Sequence, residues 1–363
     1  MIHNETVHVM ARGSAAVRAV MWGLVVIIAG LTGYILVQQG NFDPAPRVAL
    51  VTADKDAYWD PVIEGAQAAA TKRDIKLEIH RAEGSAKEQT ELLERLVAEG
   101  YDGIAVSPVD AEKQAGSLRR IAQRVSLVTL DADSPLSKRL TFVGCDNYAA
   151  GRRCGSLVRQ AMPEGGQVAI VIGSLDKSNG QQRRQGLIDE LLDRSFNPDR
   201  EPYPLDQPLT GEMFTIVGTY VDQADPEQAR ANAAGAIADH PDLDGLVGLY
   251  GYSTPAILHA LREAGKLGEL EVVGFDYNDQ TIEGIEQGHV YGTIAQDQFN
   301  YGMRAVDILA VVTQSGPDAA PLSDTIHLPT VAVTRENLPE FMNGFINARS
   351  SAAAARLMSR QGG

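Results

Sequence analysis

The sequence predicts an α/β protein: two similar Rossmann-like lobes, parallel sheets flanked by helices, joined by a three-crossing hinge and preceded by one transmembrane helix. Three observations carry this. Short apolar runs alternate with helix-like segments from residue 47 onward, the signature of βαβ units. The alternation restarts near residue 167 as an internal repeat. Ala19 to Val37 is a run of nineteen residues without a charge.

That first run has no polar face and would span roughly 28 Å as a helix, enough for a bilayer core. Arg12 and Arg18 precede it, so the positive-inside rule places residues 1–18 in the cytoplasm and the chain after about residue 40 outside. The run is long for a cleaved signal and no clear A-x-A site follows it, so an uncleaved signal anchor is expected, with cleavage and release to the periplasm as the alternative. No cysteine follows it, which excludes a lipoprotein anchor.

Strands are predicted at 47–51, 76–80, 103–106, 127–130 and 140–143, with helices at 61–72, 87–99 and 112–123 between them. The second series has strands at 167–172, 214–220, 245–249, 271–275 and 291–295. Its helices are expected at 180–192, 226–239 and 254–264, with a further one at 300–313 and a last strand pair near 325–334. Residues 195–213, rich in Pro and Asp, read as a surface insertion. Leu338, Phe341, Met342 and Phe345 mark a short surface helix, followed by a tail.

The repeat is visible residue by residue. Tyr101-Asp-Gly-Ile-Ala-Val106 resembles Leu243-Asp-Gly-Leu-Val-Gly248, and Leu127-Val-Thr-Leu-Asp131 resembles Val272-Val-Gly-Phe-Asp276. The offset stays near 142 to 152 residues. Each lobe thus presents one carboxylate where a strand ends, the edge at which open α/β sheets bind ligands. The expected division is 1–45 (stub, anchor and linker), 46–146 plus 297–327 (first lobe), 147–296 plus 328–335 (second lobe) and 336–363 (tail).

Composition narrows the function. A hydrophobic content of 44% suffices for two sizeable cores, and a net charge of -15 speaks against a nucleic-acid partner. The seven histidines are scattered, and no P-loop, HExxH or GxGxxG occurs, so no metal and no cofactor is expected. Cys145 and Cys154 read as buried free thiols, with a bridge between them as the alternative outside the cytoplasm. Gly251-Tyr-Ser253-Thr-Pro255 resembles a nucleophile elbow, but Pro255 replaces the second glycine. Helix capping by Ser253 or Thr254 is the expected role, and an α/β hydrolase using Ser253 is a minor alternative.

Asp54-Lys-Asp56-Ala-Tyr58-Trp59 follows the first strand, so it lies at the ligand edge. Two adjacent aromatics on a polar loop provide a flat surface for a sugar ring, or one of them staples the next helix.

Together these stretches identify a resemblance. Residues 47–334 resemble the periplasmic sugar-binding proteins of bacterial ABC transporters, the ribose- and galactose-binding group, whose fold also forms the core of lactose-repressor-type regulators. The match rests on Val48 to Trp59, Pro61 to Ala70, Gly103 to Pro108, Val128 to Asp131, Gly144 to Asn147, His240-Pro-Asp242, Val273 to Asp276 and Thr293 to Gln296. It implies ligand contacts at Asp56, Tyr58, Trp59, Asp131, Cys145, Gln181, Tyr250, Asp276 and Gln296. Arg183, which the family uses more often structurally, completes the set. Two departures stand out: ribose binders carry Arg where this chain has Ala132 and Gln181. The implied protein is a monomeric non-enzyme that closes on a monosaccharide or related polyol, with crossings near Asp146, Gln296 and Leu328. Its membrane partner is an ABC permease or a sensor kinase.

Overall fold

The computed structural model of the chain describes residues 20–28, 45–205 and 207–344. Residues 1–45 and 46–363 form separate units. In the first unit residues 20–28 are helical, with Val20, Trp22, Leu24, Val25, Val26 and Ile27 exposed. Among the described residues no helix is long and apolar enough to cross a membrane. The remainder of the expected anchor, residues 19 and 29–37, lies outside the described residues.

The second unit contains two sheets. The first is built from β1 (Arg47–Val51), α1 (Trp59–Arg73), β2 (Lys76–His80), α2 (Ala86–Ala98), β3 (Gly103–Val106), α3 (Ala111–Ala122), β4 (Ser126–Leu130) and β5 (Thr141–Gly144). The chain then leaves for the second: α4 (Asn147–Ala161), β6 (Gly166–Ile172), α5 (Ser178–Leu191), β7 (Leu209–Thr210), β8 (Phe214–Val221), α6 (Pro226–Asp239), β9 (Gly245–Gly248), α7 (Ser253–Glu263), β10 (Glu271–Phe275), α8 (Asp279–Gln287) and β11 (Gly292–Ala295). It returns through α9 (Gln298–Ser315) and β12 (Thr325–His327), and ends on β13 (Val331–Thr334).

The first sheet is parallel throughout, in the order β12-β5-β4-β3-β1-β2. The second runs β13-β11-β10-β9-β6-β8-β7 and is parallel except at its two edges. The central strands β3, β5, β9 and β11 are buried at every residue, which is why they read as unbroken apolar runs without alternation. Helix starts are fixed by side chains that accept from the first free backbone N–H groups. Asp110, Asp146, Asp225, Asn278 and Asp297 do this for α3, α4, α6, α8 and α9.

Each sheet is backed by one tight helix pair. α1 meets α9 at Gly65 and Gly302, where an added Cβ would lie 1.8 Å from the carbonyl oxygen of Phe299 and of Val62 respectively. α4 meets α5 at Gly151 and Gly186, where the corresponding clashes with Arg183 O and Tyr148 O are 2.2 and 2.1 Å. In both cases the helix that enters after a crossing packs on the helix that follows the lobe's first strand.

The structure adds detail to three expectations. The last two strands lie on either side of the crossing expected near Leu328: β12 joins β5 in the first sheet and β13 joins β11 in the second. The 195–213 segment is tied down, because Arg200 and Tyr203 bond to the buried Asp189 and Leu209–Thr210 adds an edge strand to β8. The first helix begins at Trp59, inside what reads as a polar loop. Residues 338–344 are helical and place Phe341 against Tyr277 at 5.2 Å; Phe345 and the tail lie outside the described residues.

Candidate functional site

β4 and β10 occupy matching places in the two sheets, and each is followed at once by an aspartate in left-handed backbone conformation. Asp131 has φ 63° and Asp276 φ 62°. A non-glycine residue pays roughly 1–2 kcal/mol there, and Asn and Asp are the residues that tolerate it. In both cases the N–H bonds to the neighbouring strand, Asp131 to Val143 O at 3.0 Å and Asp276 to Ile294 O at 2.8 Å. The turn therefore fixes each carboxyl group at the carboxyl edge of its sheet.

Between them lies a cavity of about 280 Å³. Of the residues expected from sequence, Asp56, Tyr58, Trp59, Asp131, Arg183, Tyr250 and Asp276 line it. Tyr58 donates its hydroxyl to Asp131 Oδ1 at 2.7 Å. Trp59 is only 2% exposed, and its indole N–H donates to Asp54 Oδ1 at 2.8 Å. The half-buried Tyr58 thus carries the accessible ring, while Trp59 packs inward beneath it, edge to face at 5.1 Å.

Three expected residues lie elsewhere. Gln181 sits on the exposed side of α5, donating to Leu175 O at 2.6 Å. Two residues along a helix is 200° around it, so Gln181 and Arg183 cannot share a face. Gln296 and Cys145 lie behind the cavity wall. Gln296 accepts from Arg183 Nη2 at 3.0 Å and donates to Asp276 Oδ1 at 2.7 Å, so it links the two charged groups. The Cys145 thiol points at Asn147 and Gln296. Cys145 and Cys154 are both free, and burial pushes their thiols up to about 11 and about 12.

The structure adds Asp54, Lys177, Asn179 and Tyr252 to the lining. Lys177, Ser178 and Asn179 are consecutive at the start of α5, and each reaches a different aspartate of the first lobe. Lys177 Nζ lies 3.1 Å from Asp54 Oδ2, Ser178 Oγ donates to Asp133 O at 3.2 Å, and Asn179 Nδ2 donates to Asp131 Oδ2 at 3.2 Å. Helical spacing from Arg183 back to Asn179, i and i+4, is the signal that could have found the last of these.

The electrostatics are uneven. Burial alone would depress the Lys177 ammonium, but Asp54, Tyr250 and Asp131 together more than offset it and the group stays above its ordinary value. Arg183 is buried, stacked 4.1 Å over the Phe275 ring, and 3.9 Å from Asp131. Among the described residues Asp276 has no such ion pair. Burial pushes its carboxyl up to about 7; Asp131 and Asp56 add to this, and Arg183 and the Gln296 amide oppose it. Asp222, beneath Tyr252, is likewise raised by burial to about 6.

The hydrolase alternative is overturned. Ser253 is fully buried and its Oγ has no hydrogen-bond partner, whereas a serine nucleophile needs a base within reach. The capping role fails too: Tyr252 occupies the cap position and no side chain caps the helix. No group of three His, Cys, Asp or Glu placed to hold a metal occurs among the described residues.

Residues 48–317 match the family described as periplasmic binding protein domain. The D-ribose/D-allose-binding protein of Pseudomonas aeruginosa is 24% identical over 268 residues, covering 70% of this chain and 77% of that one. The D-allose-binding periplasmic protein of Escherichia coli is 22% identical over 293 residues, covering 78% and 89%. Among solved structures, an ABC transporter solute-binding protein from Burkholderia graminis C4D1M, in complex with D-arabinose, is 25% identical with a TM-score of 0.72 over 81% of this chain and 96% of that one. These relatives are binding proteins, not enzymes.

Proposed function

The chain belongs to the periplasmic binding protein family, and from that premise we propose that it captures a small polyhydroxylated ligand, a monosaccharide or related polyol, between its two lobes. The observation that carries this reading is the cavity at the facing sheet edges, to which each lobe contributes one turn-locked aspartate, Asp131 and Asp276, beside the rings of Tyr58 and Tyr250. Aromatic faces pack on sugar C–H groups, and carboxylates accept from hydroxyls. The names of the relatives, which bind ribose, allose or arabinose, support the same class.

In this reading no bond is broken. The lobes close by hinge motion at the crossings between β5 and α4, β11 and α9, and β12 and β13. The closed form docks an ABC-type permease, and the chain is held to the inner membrane by residues 19–37 or released if that segment is cleaved. A sensor kinase is the other partner that the tethered arrangement serves; crosslinking in membranes followed by identification of the captured protein separates the two.

Calorimetry of the full-length chain against pentoses, hexoses, deoxysugars and polyols is the test. Binding of at least one class is expected, weakened on Asp276→Ala by the loss of a charge-assisted hydrogen bond, about 1.5–3 kcal/mol. Silence across this panel and across amino sugars removes the sugar reading.

A further inference from the structure

The cavity does not end at Asp276. A second chamber of about 350 Å³ shares Asp56, Tyr58, Gly251, Tyr252 and Asp276 with the first and continues outward past Asp60, Tyr277 and Asp279. No lysine or arginine lines this outer chamber. Both buried cations of the inner chamber already face a carboxylate: Lys177 faces Asp54, and Arg183 faces Asp131. The guanidinium is further committed to Asn147, to the Leu249 carbonyl and to Gln296.

Two carboxyl groups at the junction of the chambers are therefore left without an ion pair. Among the described residues the Asp56 carboxyl group accepts only the backbone N–H of Tyr58, at 2.7 Å. Asp276 accepts only from Gln296, on Oδ1. Its Oδ2 has no donor among the described residues, although the residue is 2% exposed and lines both chambers. That oxygen is open to the cavity, so a donor on a bound ligand can reach it and complete its hydrogen bonding. The rings of Tyr58 and Tyr252 also line both chambers, and aromatic faces beside carboxylates favour a cation over a neutral hydroxyl.

We propose that the ligand is an aminated sugar or polyol whose ammonium group sits between Asp276 and Asp56, against Tyr58 and Tyr252. The inference rests on the polyol reading above and narrows it. It also explains how the Asp276 site is held before binding. The groups that face Asp276 are Arg183 from α5, Asp131 after β4, Asp56 and Tyr58 after β1, and Cys145 after β5. With its carboxyl raised to about 7, Asp276 is mostly protonated at pH 6, and an arriving ammonium displaces that proton.

The experiment is calorimetry of the full-length chain at pH 6, in two buffers of different ionisation enthalpy. The probes are glucosamine, galactosamine and mannosamine, each beside its parent hexose and its N-acetyl derivative. The expected result is at least one amine bound tenfold or more tighter than both counterparts, with about one proton released per ligand. Asp276→Asn should bring that preference below threefold, and circular dichroism establishes that the variant is folded. Parent sugars binding as tightly as the amines, without proton release, overturn the inference and leave the polyol reading standing. Amines binding with a preference that survives Asp276→Asn overturn the assigned position. No binding by any amine, with neutral sugars or polyols bound in the wider panel, also overturns the inference alone.

Discussion

Asp131 and Asp276 are the same residue in the same turn, at the end of corresponding strands, with φ within a degree of one another. Their surroundings differ. Asp131 receives Tyr58 and Ser107 from its own lobe and Asn179 from the other, with Arg183 at 3.9 Å. Asp276 receives one amide proton, from Gln296, and its carboxyl is pushed by burial up to about 7. A duplicated backbone has thus been kept while its two carboxyl groups have been given different work. The first is a completed joint between the lobes. The second is an acceptor left open to the cavity. In the binding role proposed above, closure draws on the first before any ligand arrives, while selectivity among ligands falls to the second.

The comparison breaks most severely if the shared cation is removed. Arg183→Leu leaves both carboxyl groups buried without their common countercharge, and loss of one partner of a buried pair costs about 3–5 kcal/mol. Urea denaturation at pH 8 should show that loss. At pH 5 it should shrink, because Asp276 takes up its proton and needs no partner. An equal loss at both pH values would mean that Asp276 does not sense Arg183.

One substitution made at both positions should give opposite signs. Asp131→Asn sets an NH2 either against the Asn179 amide on the Oδ2 side or against the Arg183 guanidinium on the Oδ1 side, donor against donor, and should cost about 1.5–3 kcal/mol. Asp276→Asn keeps an acceptor for Gln296 and removes the titration. The folded-state pKa of Asp276 is raised, so its proton stabilises the fold. That contribution is complete below the unfolded value of roughly 4 and is lost as pH rises through about 7. The Asn variant should therefore be the more stable protein at pH 8, by about 1–3 kcal/mol, with the gap closing towards pH 4. Thermal melts across this range decide it, and destabilisation of both variants at pH 8 would erase the distinction between the two sites.

Both aspartates were readable from the internal repeat, because a strand that ends in the same residue twice, near a constant offset, reports a duplicated edge. Most strands and helices were readable for a similar reason: fully buried parallel strands are unbroken apolar runs, and Asp or Asn at a helix start caps it. The contacts across the cleft were not. Lys177 occupies the cap position of α5 without a side-chain cap bond, so no cap residue marks where that helix begins. Its partner Asp54 is 123 positions away in sequence, and the pair exists only once the lobes face each other. The family resemblance implies Gln181, whereas helical periodicity from Arg183 points to Asn179. The last two strands fall in separate sheets, as the crossing expected near Leu328 implies.

The finest test concerns how completely Asp131 is satisfied. Tyr58→Phe removes one donor and leaves Ser107, Asn179 and Arg183 in place, while the ring that lines the cavity is unchanged in size. The remaining donors should hold the loss to about 1 kcal/mol, below that of Asp131→Asn. Because the deleted hydroxyl serves Asp131, the loss should be the same at pH 6 and pH 8, unlike every effect routed through Asp276. Chemical denaturation at the two pH values measures this directly. A loss that grows as Asp276 ionises would show that the tyrosine hydroxyl is shared between the two carboxyl groups, and the division of labour between the lobes would then have to be redrawn around Tyr58.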